Sequence, residues 1–276
     1  MRSLLSFLSV VMPLMTTPAL AAEPARPALA PSYADLATLA DGAPLAVRAR
    51  VKDQVALPPE RAPGLAPGHA RLFVEAQTVA LLAGNTTLPE MLRYLVDVPL
   101  DAKGRAPKLK KQEFVLFARP VAGRSGELQL VGPRAQLPYT PALEARLRPV
   151  LASFAATGAP PRVTGVRDVL SSVGNLAGES ETQIFLATAR GEPAALTVVR
   201  RPGMAPRWGV SWTELVDQSA EAPVRDTLAW YRLACALPPA LPAGANVASD
   251  PADRARAAQD YRFVLEQLGP CTRNLG

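Results

Sequence analysis

The chain has 276 residues, of which 49% are hydrophobic and 20% are charged, a balance typical of a folded protein with one or two domains. Its 30 basic and 24 acidic residues are interleaved, and the formal net charge of +6 is too small to indicate a nucleic-acid-binding protein. The composition therefore excludes a wholly disordered chain, and nucleic acid is not an expected partner.

The N-terminus has the pattern of a secretory signal peptide. Arg2 precedes an apolar run over residues 4–15, and Ala19-Leu20-Ala21 has the small-residue spacing of a cleavage site. The apolar run is shorter than the roughly 20 residues that cross a bilayer. We expect residues 1–21 to be a signal peptide and residues 22–31 to be a Pro/Ala linker. The mature chain should be periplasmic or secreted, without a transmembrane segment.

Residues 32–158 predict a small β-barrel with a flanking helix. Turn signals separate five β-type runs, at residues 45–55, 71–82, 91–99, 113–121 and 127–131. Five strands of this kind suggest a closed or partly closed OB-like barrel, although a loop at 101–112 takes the place of the helix that usually follows the third strand. Thr140 caps the flanking helix, which Pro149 should kink or split.

Residues 159–276 predict a second, α+β unit. Ala159-Pro160-Pro161 marks the boundary, and a β-meander follows over residues 182–189, 195–201 and 207–215. Two helices then complete the chain. The expected fold class is α+β, with an N-terminal five-stranded OB-like β-barrel and its helix, then a β-meander packed by C-terminal helices.

The two cysteines, Cys235 and Cys271, lie at the C-terminal ends of the last two predicted helices. An oxidising compartment would permit a disulfide between them. Because a disulfide tolerates Cα atoms only within about 7 Å, bonding requires the two helices to lie side by side or to cross. Two buried free thiols, or a redox or metal role, are the alternatives.

The residues that usually carry catalysis are scarce. His69 is the only histidine, which excludes metal sites with two histidines. No glycine-rich phosphate-binding motif is present, so no cofactor and no metal is expected. The acidic residues Glu179, Glu181, Asp168 and Asp217 could serve a carboxylate-dependent hydrolase, but acids near a strand entrance are more often solvated. We therefore assign no catalytic residue.

Basic residues are the first candidates for a binding site. Lysines concentrate in the loop before the fourth strand, at Lys103, Lys108, Lys110 and Lys111. Arg48, Arg50 and Lys52 alternate along the first strand and would extend this basic surface if that face is exposed. The alternative is that the lysines only keep an exposed turn soluble.

Two tryptophans form the second candidate. Trp208 and Trp212 alternate on one predicted strand and are bracketed by arginines, an arrangement that can bind sugars, lipids or stacked rings. The alternative is that both pack in the core against the helix that holds Trp230.

The segments GESETQIFLATARGEPAALTVVRRPG, Trp-Gly-Val-Ser and DYRFVLEQLGPC together resemble an uncharacterised family of exported bacterial proteins. The resemblance covers most of the mature chain and implies export and a shared fold, but no activity or ligand. We expect a non-enzymatic binding or envelope-interaction protein, with an anionic lipid or glycan of the envelope or a protein as partner. A periplasmic carboxylate-dependent hydrolase and a structural or assembly protein are the alternatives.

Overall fold

The structure is a computed structural model that describes residues 30–213 and 220–275. The predicted signal peptide, most of the linker and Asp217 lie outside the described residues. The fold class is α+β, as predicted: a closed β-barrel and a flanking helix precede an antiparallel sheet and C-terminal helices.

The barrel contains the five predicted strands. In chain order they are β1 (Leu45–Ala56), β2 (His69–Ala83), β3 (Met91–Pro99), β4 (Glu113–Pro120) and β5 (Glu127–Leu130). They follow the order β1-β2-β3-β5-β4, and pairing of β1 with β4 closes the barrel. The β3–β5 pair is parallel, whereas the other pairs are antiparallel. A short strand, β6 (Gln136–Pro138), adds to β4 and was not predicted.

Two helices pack on the outside of the barrel. Helix α1 (Tyr33–Gly42) was not predicted; it begins at a capping box in which Ser32 and Asp35 satisfy each other's backbone N–H groups. Helix α2 (Pro141–Ala155) begins as predicted, with the Thr140 side chain accepting from the Leu143 N–H. Pro149 lies inside α2 without splitting it into two helices.

The second sheet has one strand more than the sequence predicted. It contains β7 (Val163–Val173), β8 (Ser180–Thr188), β9 (Ala195–Arg200) and β10 (Arg207–Ser211), in the order β10-β9-β8-β7. The unpredicted strand is β7, whose register shifts twice, between Val163 and Gly165 and between Val166 and Asp168. Each shift breaks the period of two by which a strand is recognised.

The C-terminal helices are α3 (Leu228–Ala234) and α4 (Pro251–Leu268). Cys235 caps the end of α3 and forms a disulfide with Cys271, with 5.1 Å between the two Cα atoms. The Trp230 indole N–H also donates to the Leu268 carbonyl oxygen at 2.8 Å, so the C-terminal ends of the two helices are adjacent. The predicted pairing of the cysteines is confirmed.

The described residues form two hydrophobic cores. One fills the barrel and includes Val47, Leu92 and Leu116. The other lies outside the barrel, where β4 residues such as Phe117 meet the helices and the second sheet. In the described part of the chain, no helix has the length and apolar character needed to cross a membrane.

Candidate functional site

A groove of about 800 Å³ lies on the barrel surface along β3. Its walls come from the connection after β1, from β2 and β3, and from the segment around β5. The lining residues that project as candidate ligand contacts are Arg61, Arg71, Phe73, Arg93, Leu95, Asp97, Arg124 and Glu127. The volume falls within the usual range for small-molecule and cofactor sites.

Three cross-strand pairs of β2 and β3 determine which charged and apolar side chains lie along the groove floor and at its edge. Arg71 is opposite Asp97, Phe73 is opposite Leu95, and Glu75 is opposite Arg93. Successive side chains of a strand point to opposite faces, so these pairs share the outer face of the barrel. The result is an apolar centre between two ion pairs.

Arg71 and Asp97 hold one end of the groove together. The Arg71 guanidinium donates to both Asp97 oxygens, at 2.7 and 2.8 Å, and Nη1 also donates to the Pro63 carbonyl oxygen at 3.1 Å. These hydrogen bonds from Arg71 outweigh partial burial and lower the pKa of Asp97, and the same pair raises the pKa of Arg71. Arg71 therefore ties the connection after β1 to the groove floor.

The other arginines are more available to a ligand. Arg93 lies 3.4 Å from Glu75 with its side chain 53% exposed, and Arg124 lies 3.2 Å from Glu127 with its side chain 68% exposed. Such exposed ion pairs are weak, so an anion can compete for the arginines. Among the described residues, Arg61 has neither an ion pair nor a side-chain hydrogen bond. Four lining arginines against Asp97 and Glu127 leave the groove with a net charge of +2.

At the second end of the groove, Gly126 holds the turn before β5 close to β3. Its φ is 78°, and a Cβ at this position would lie 2.8 Å from the Met91 carbonyl oxygen. Only glycine fits both conditions. The Gly126 carbonyl oxygen can therefore reach β3, where it accepts from the Arg93 N–H at 2.8 Å.

Tyr94 borders the groove from inside the barrel. Its hydroxyl donates to Gln136 Oε1 at 2.8 Å, and burial raises its pKa. The phenol therefore stays neutral at physiological pH and keeps this hydrogen bond across the barrel.

The predicted basic residues of β1 face outward, but two of them bind a carboxylate of the same protein. Arg48 Nε donates to Glu113 Oε2 at 2.7 Å, and Arg50 Nε donates to Glu113 Oε1 at 2.9 Å. The Arg48 guanidinium also lies 3.7 Å from the centre of the Tyr139 ring. Lys52 is exposed on the same strand. Both arginines thus join β1 to β4, and Arg48 also lies 3.7 Å from Glu144 of α2.

The lysine loop, residues 101–112, is mostly exposed and is anchored to the barrel at Pro107 and Leu109. The side chains of Lys103, Lys108, Lys110 and Lys111 all lie in exposed positions. Leu109, 5% exposed, inserts into the barrel core, and Gln54 of β1 donates to the Pro107 carbonyl oxygen at 2.8 Å. None of the four lysines is among the groove-lining residues.

The tryptophan strand faces the core outside the barrel. Trp208 is 9% exposed and belongs to this core, and the half-buried Trp212 packs against it. Little of the Trp208 ring is therefore available to a ligand.

The candidate acids of the second sheet are spread along it. Asp168 is opposite Phe185, whereas Glu181 is opposite Ser172, four residues further along β7, or roughly 13 Å at the rise of a strand. Glu179 Oε2 accepts from the Leu176 N–H in the turn before β8. His69 begins β2 and lies 3.1 Å from the Pro67 carbonyl oxygen. Within the described ranges, no group of three acidic, histidine or cysteine side chains could hold a metal ion.

The sequence analysis did not identify the groove, although part of its signal is visible. Arg71, Phe73 and Glu75 alternate along β2, as do Arg93 and Leu95 along β3. Alternation indicates that these residues share a face, but the pairing of β2 with β3 is needed to bring the two sets together. Arg61 and Arg124 come from separate loops, and no sequence pattern links them.

No family model matches the chain, and no curated protein matches it. The geometry of the groove is therefore the basis for the functional interpretation.

Proposed function

We propose that the protein is an exported binding protein of the cell envelope, without catalytic activity of its own, and that the barrel groove binds an anionic ligand. The observation that carries this proposal is the groove of about 800 Å³ in which four arginines face two carboxylates around an apolar centre. Arginine suits this task because its planar guanidinium binds carboxylate and phosphate groups with two hydrogen bonds.

The groove is a better candidate than the other basic and aromatic surfaces. Arg48 and Arg50 already share Glu113, and Trp208 is buried. The four lysines are exposed, and none of them lines the groove. In the groove, by contrast, Arg61 and Arg124 extend from two loops on either side of Phe73 and Leu95.

Export is part of the proposal. It is supported by the signal-peptide pattern of residues 1–21 and by the disulfide, a bond that persists in oxidising compartments. Fractionation of the native host followed by N-terminal sequencing should find the chain outside the cytoplasm and beginning at Ala22. A cytoplasmic chain that keeps Met1 would contradict export.

The binding test compares charge reversals in the groove with reversals elsewhere. The probes are phosphatidylglycerol vesicles, an oligogalacturonate and an octapeptide of alternating Asp and Val. We expect Arg61→Glu with Arg124→Glu to weaken binding of at least one probe tenfold or more, and high salt to weaken it further. The control variant, Arg190→Glu with Arg262→Glu, reverses two exposed arginines outside the groove and should bind like the native protein.

A variant of the lysine loop separates the two candidate surfaces. If replacement of Lys103, Lys108, Lys110 and Lys111 by alanine abolishes binding while the groove reversal does not, the ligand site is the lysine loop and the groove assignment is wrong. If the native protein binds none of the three probes, the anionic-ligand proposal fails.

A further inference from the structure

One edge of β3 is free within the groove. The pairing between β3 and β5 is limited to Arg93 with Glu127 and Tyr94 with Leu128, whereas β3 continues to Pro99. Over its last residues β3 therefore has β2 on one side and the groove on the other.

The backbone of this free edge points into the groove. The Arg93 N–H donates to the Gly126 carbonyl oxygen, on the side away from β2. Backbone polar groups alternate in direction along a strand, so Leu95 and Asp97 also direct theirs away from β2. Within the described part of the chain, the ladder between β3 and β5 ends at Tyr94 and Leu128, before Asp97. An exposed strand edge with unpaired groups is a template for another strand.

The groove passes this edge and reaches both faces of β3. Its lining includes the outward Leu95 and Asp97 and also the inward Tyr94 and Val96. A single cavity can contact both faces only where the neighbouring strand is missing. On the opposite wall is Gly132, where an added Cβ would meet no atom within 4 Å.

We propose that the ligand of the groove is an extended acidic peptide segment of a partner protein, which pairs with the free edge of β3 as an added strand. This inference rests on the proposed anionic-ligand function and specifies the ligand. A peptide in a strand presents N–H and C=O groups at the spacing of the backbone groups on this edge of β3, which a glycan or lipid headgroup does not.

The side chains that line the groove indicate which residues the peptide should contain. Residues on its outer face would lie near the arginines Arg71, Arg93 and Arg124, and those on its inner face near Tyr94 and Val96. The expected sequence therefore alternates acidic with apolar residues. Residues 95–99 of β3 span roughly 13 Å at the rise of a strand, so a peptide segment of about five residues can lie along them.

The test uses the fluorescent Asp–Val octapeptide in three forms: unmodified, N-methylated at every Asp, and N-methylated at every Val. The three forms keep the same side chains and charge. In an added strand the Asp and Val N–H groups point to opposite sides, so only one of the two sets can donate to β3. We expect one methylated form to bind at least tenfold more weakly than the unmodified peptide and the other to bind within about threefold of it.

Hydrogen exchange gives a second readout within the same strand. The Asp97 amide, which lies beyond the β3–β5 ladder, should exchange at least tenfold more slowly with the peptide bound, whereas the Val96 amide already lies in the β2 ladder and should not change. Gly132→Trp should block the peptide by filling the groove. Gly244→Trp, at another position where a Cβ meets no atom within 4 Å, should not.

Other outcomes of these experiments separate the added-strand inference from the anionic-ligand function. If both methylated peptides bind like the unmodified one while Arg61→Glu with Arg124→Glu still abolishes binding, the added strand is wrong and the anionic-ligand function stands. The same holds if the oligogalacturonate or the vesicles bind in the groove and the peptide does not. If the groove reversal changes the binding of no probe, both proposals fail.

Discussion

Asp260 connects α4 to the second sheet through buried hydrogen bonds. It is fully buried, and it accepts from Arg200 Nε at 2.7 Å and from the Thr182 hydroxyl at 2.5 Å. Thr182 Oγ1 also lies 2.8 Å from the hydroxyl of Ser171, which in turn accepts from Arg256 Nε. Each hydroxyl has one proton, so Ser171 must donate to Thr182 and Thr182 to Asp260. The network joins three strands to α4.

Replacing Asp260 with asparagine tests this network. The variant keeps the size of the side chain but removes the charge that pairs with Arg200. We expect the free energy of unfolding to fall by about 2 to 4 kcal/mol, because loss of one partner leaves the other without compensation. Urea denaturation measures the change. Glu266→Gln, on the exposed side of the same helix, should stay within about 0.5 kcal/mol of the native protein, and an unchanged midpoint for Asp260→Asn would contradict the proposed role.

At the scale of elements, α2 shows how packing keeps a helix continuous across a proline. Pro149 has no N–H to donate to the Ala145 carbonyl, and the sequence therefore predicted a kink or a break. The helix continues because Leu147, Val150 and Leu151 on its buried face pack in the core outside the barrel. Burial of such a stripe stabilises a helix by more than the roughly 3 kcal/mol that an interior proline costs.

Pro149→Ala should therefore stabilise the protein. Pro149 is exposed, so the substitution changes no packing and restores a backbone donor. We expect an increase of about 1 to 3 kcal/mol in the free energy of unfolding. Pro141→Ala is the matched control, because proline is favourable at the first helical position and its removal should give no gain. Equal effects of the two substitutions would show that Pro149 does not strain α2.

The strands show which elements a sequence reveals. The five barrel strands were predicted because their alternation of apolar and polar residues is regular and turns separate them. β7 was missed because its two register shifts interrupt the alternation, and β6 is too short to give a pattern.

At the scale of the whole molecule, both ends of the described chain are held together. The Asn274 N–H donates to Asp35 of α1 at 2.9 Å, so the C-terminal segment completes the cap of the first helix. The disulfide between Cys235 and Cys271 anchors the start of that segment.

Removal of the disulfide should destabilise the protein without changing its fold. The bond closes a loop with a sequence separation of 36, for which the chain-entropy model gives about 4 kcal/mol. We expect the double variant Cys235→Ser with Cys271→Ser to lose about this amount in chemical denaturation, with an unchanged far-ultraviolet circular dichroism spectrum. The native protein under reducing conditions should match the variant. Equal stability of the oxidised and reduced native protein would contradict this expectation.

Sequence patterns predicted less of the candidate site than of the fold. Charge alone identified Arg48 and Arg50 as candidate ligand contacts, but both bind Glu113, more than 60 positions away in the sequence. The groove combines Arg61 and Arg124 from loops on opposite sides of β3. Contacts over such separations depend on strand pairing, which a local pattern does not encode.

The sequence by itself determined the α+β class, the five barrel strands and the cap of α2, because each depends on local periodicity or local capping. It left the two cysteines open between a disulfide and free thiols, and the placement of the helices decided for the disulfide. Only the tertiary structure decided that β1 pairs with β4, that Trp208 is buried, and that β3 leaves an edge open beside four arginines. These features arise where distant segments meet, and the free energy that selects them comes from the packing of the whole barrel and its neighbouring core.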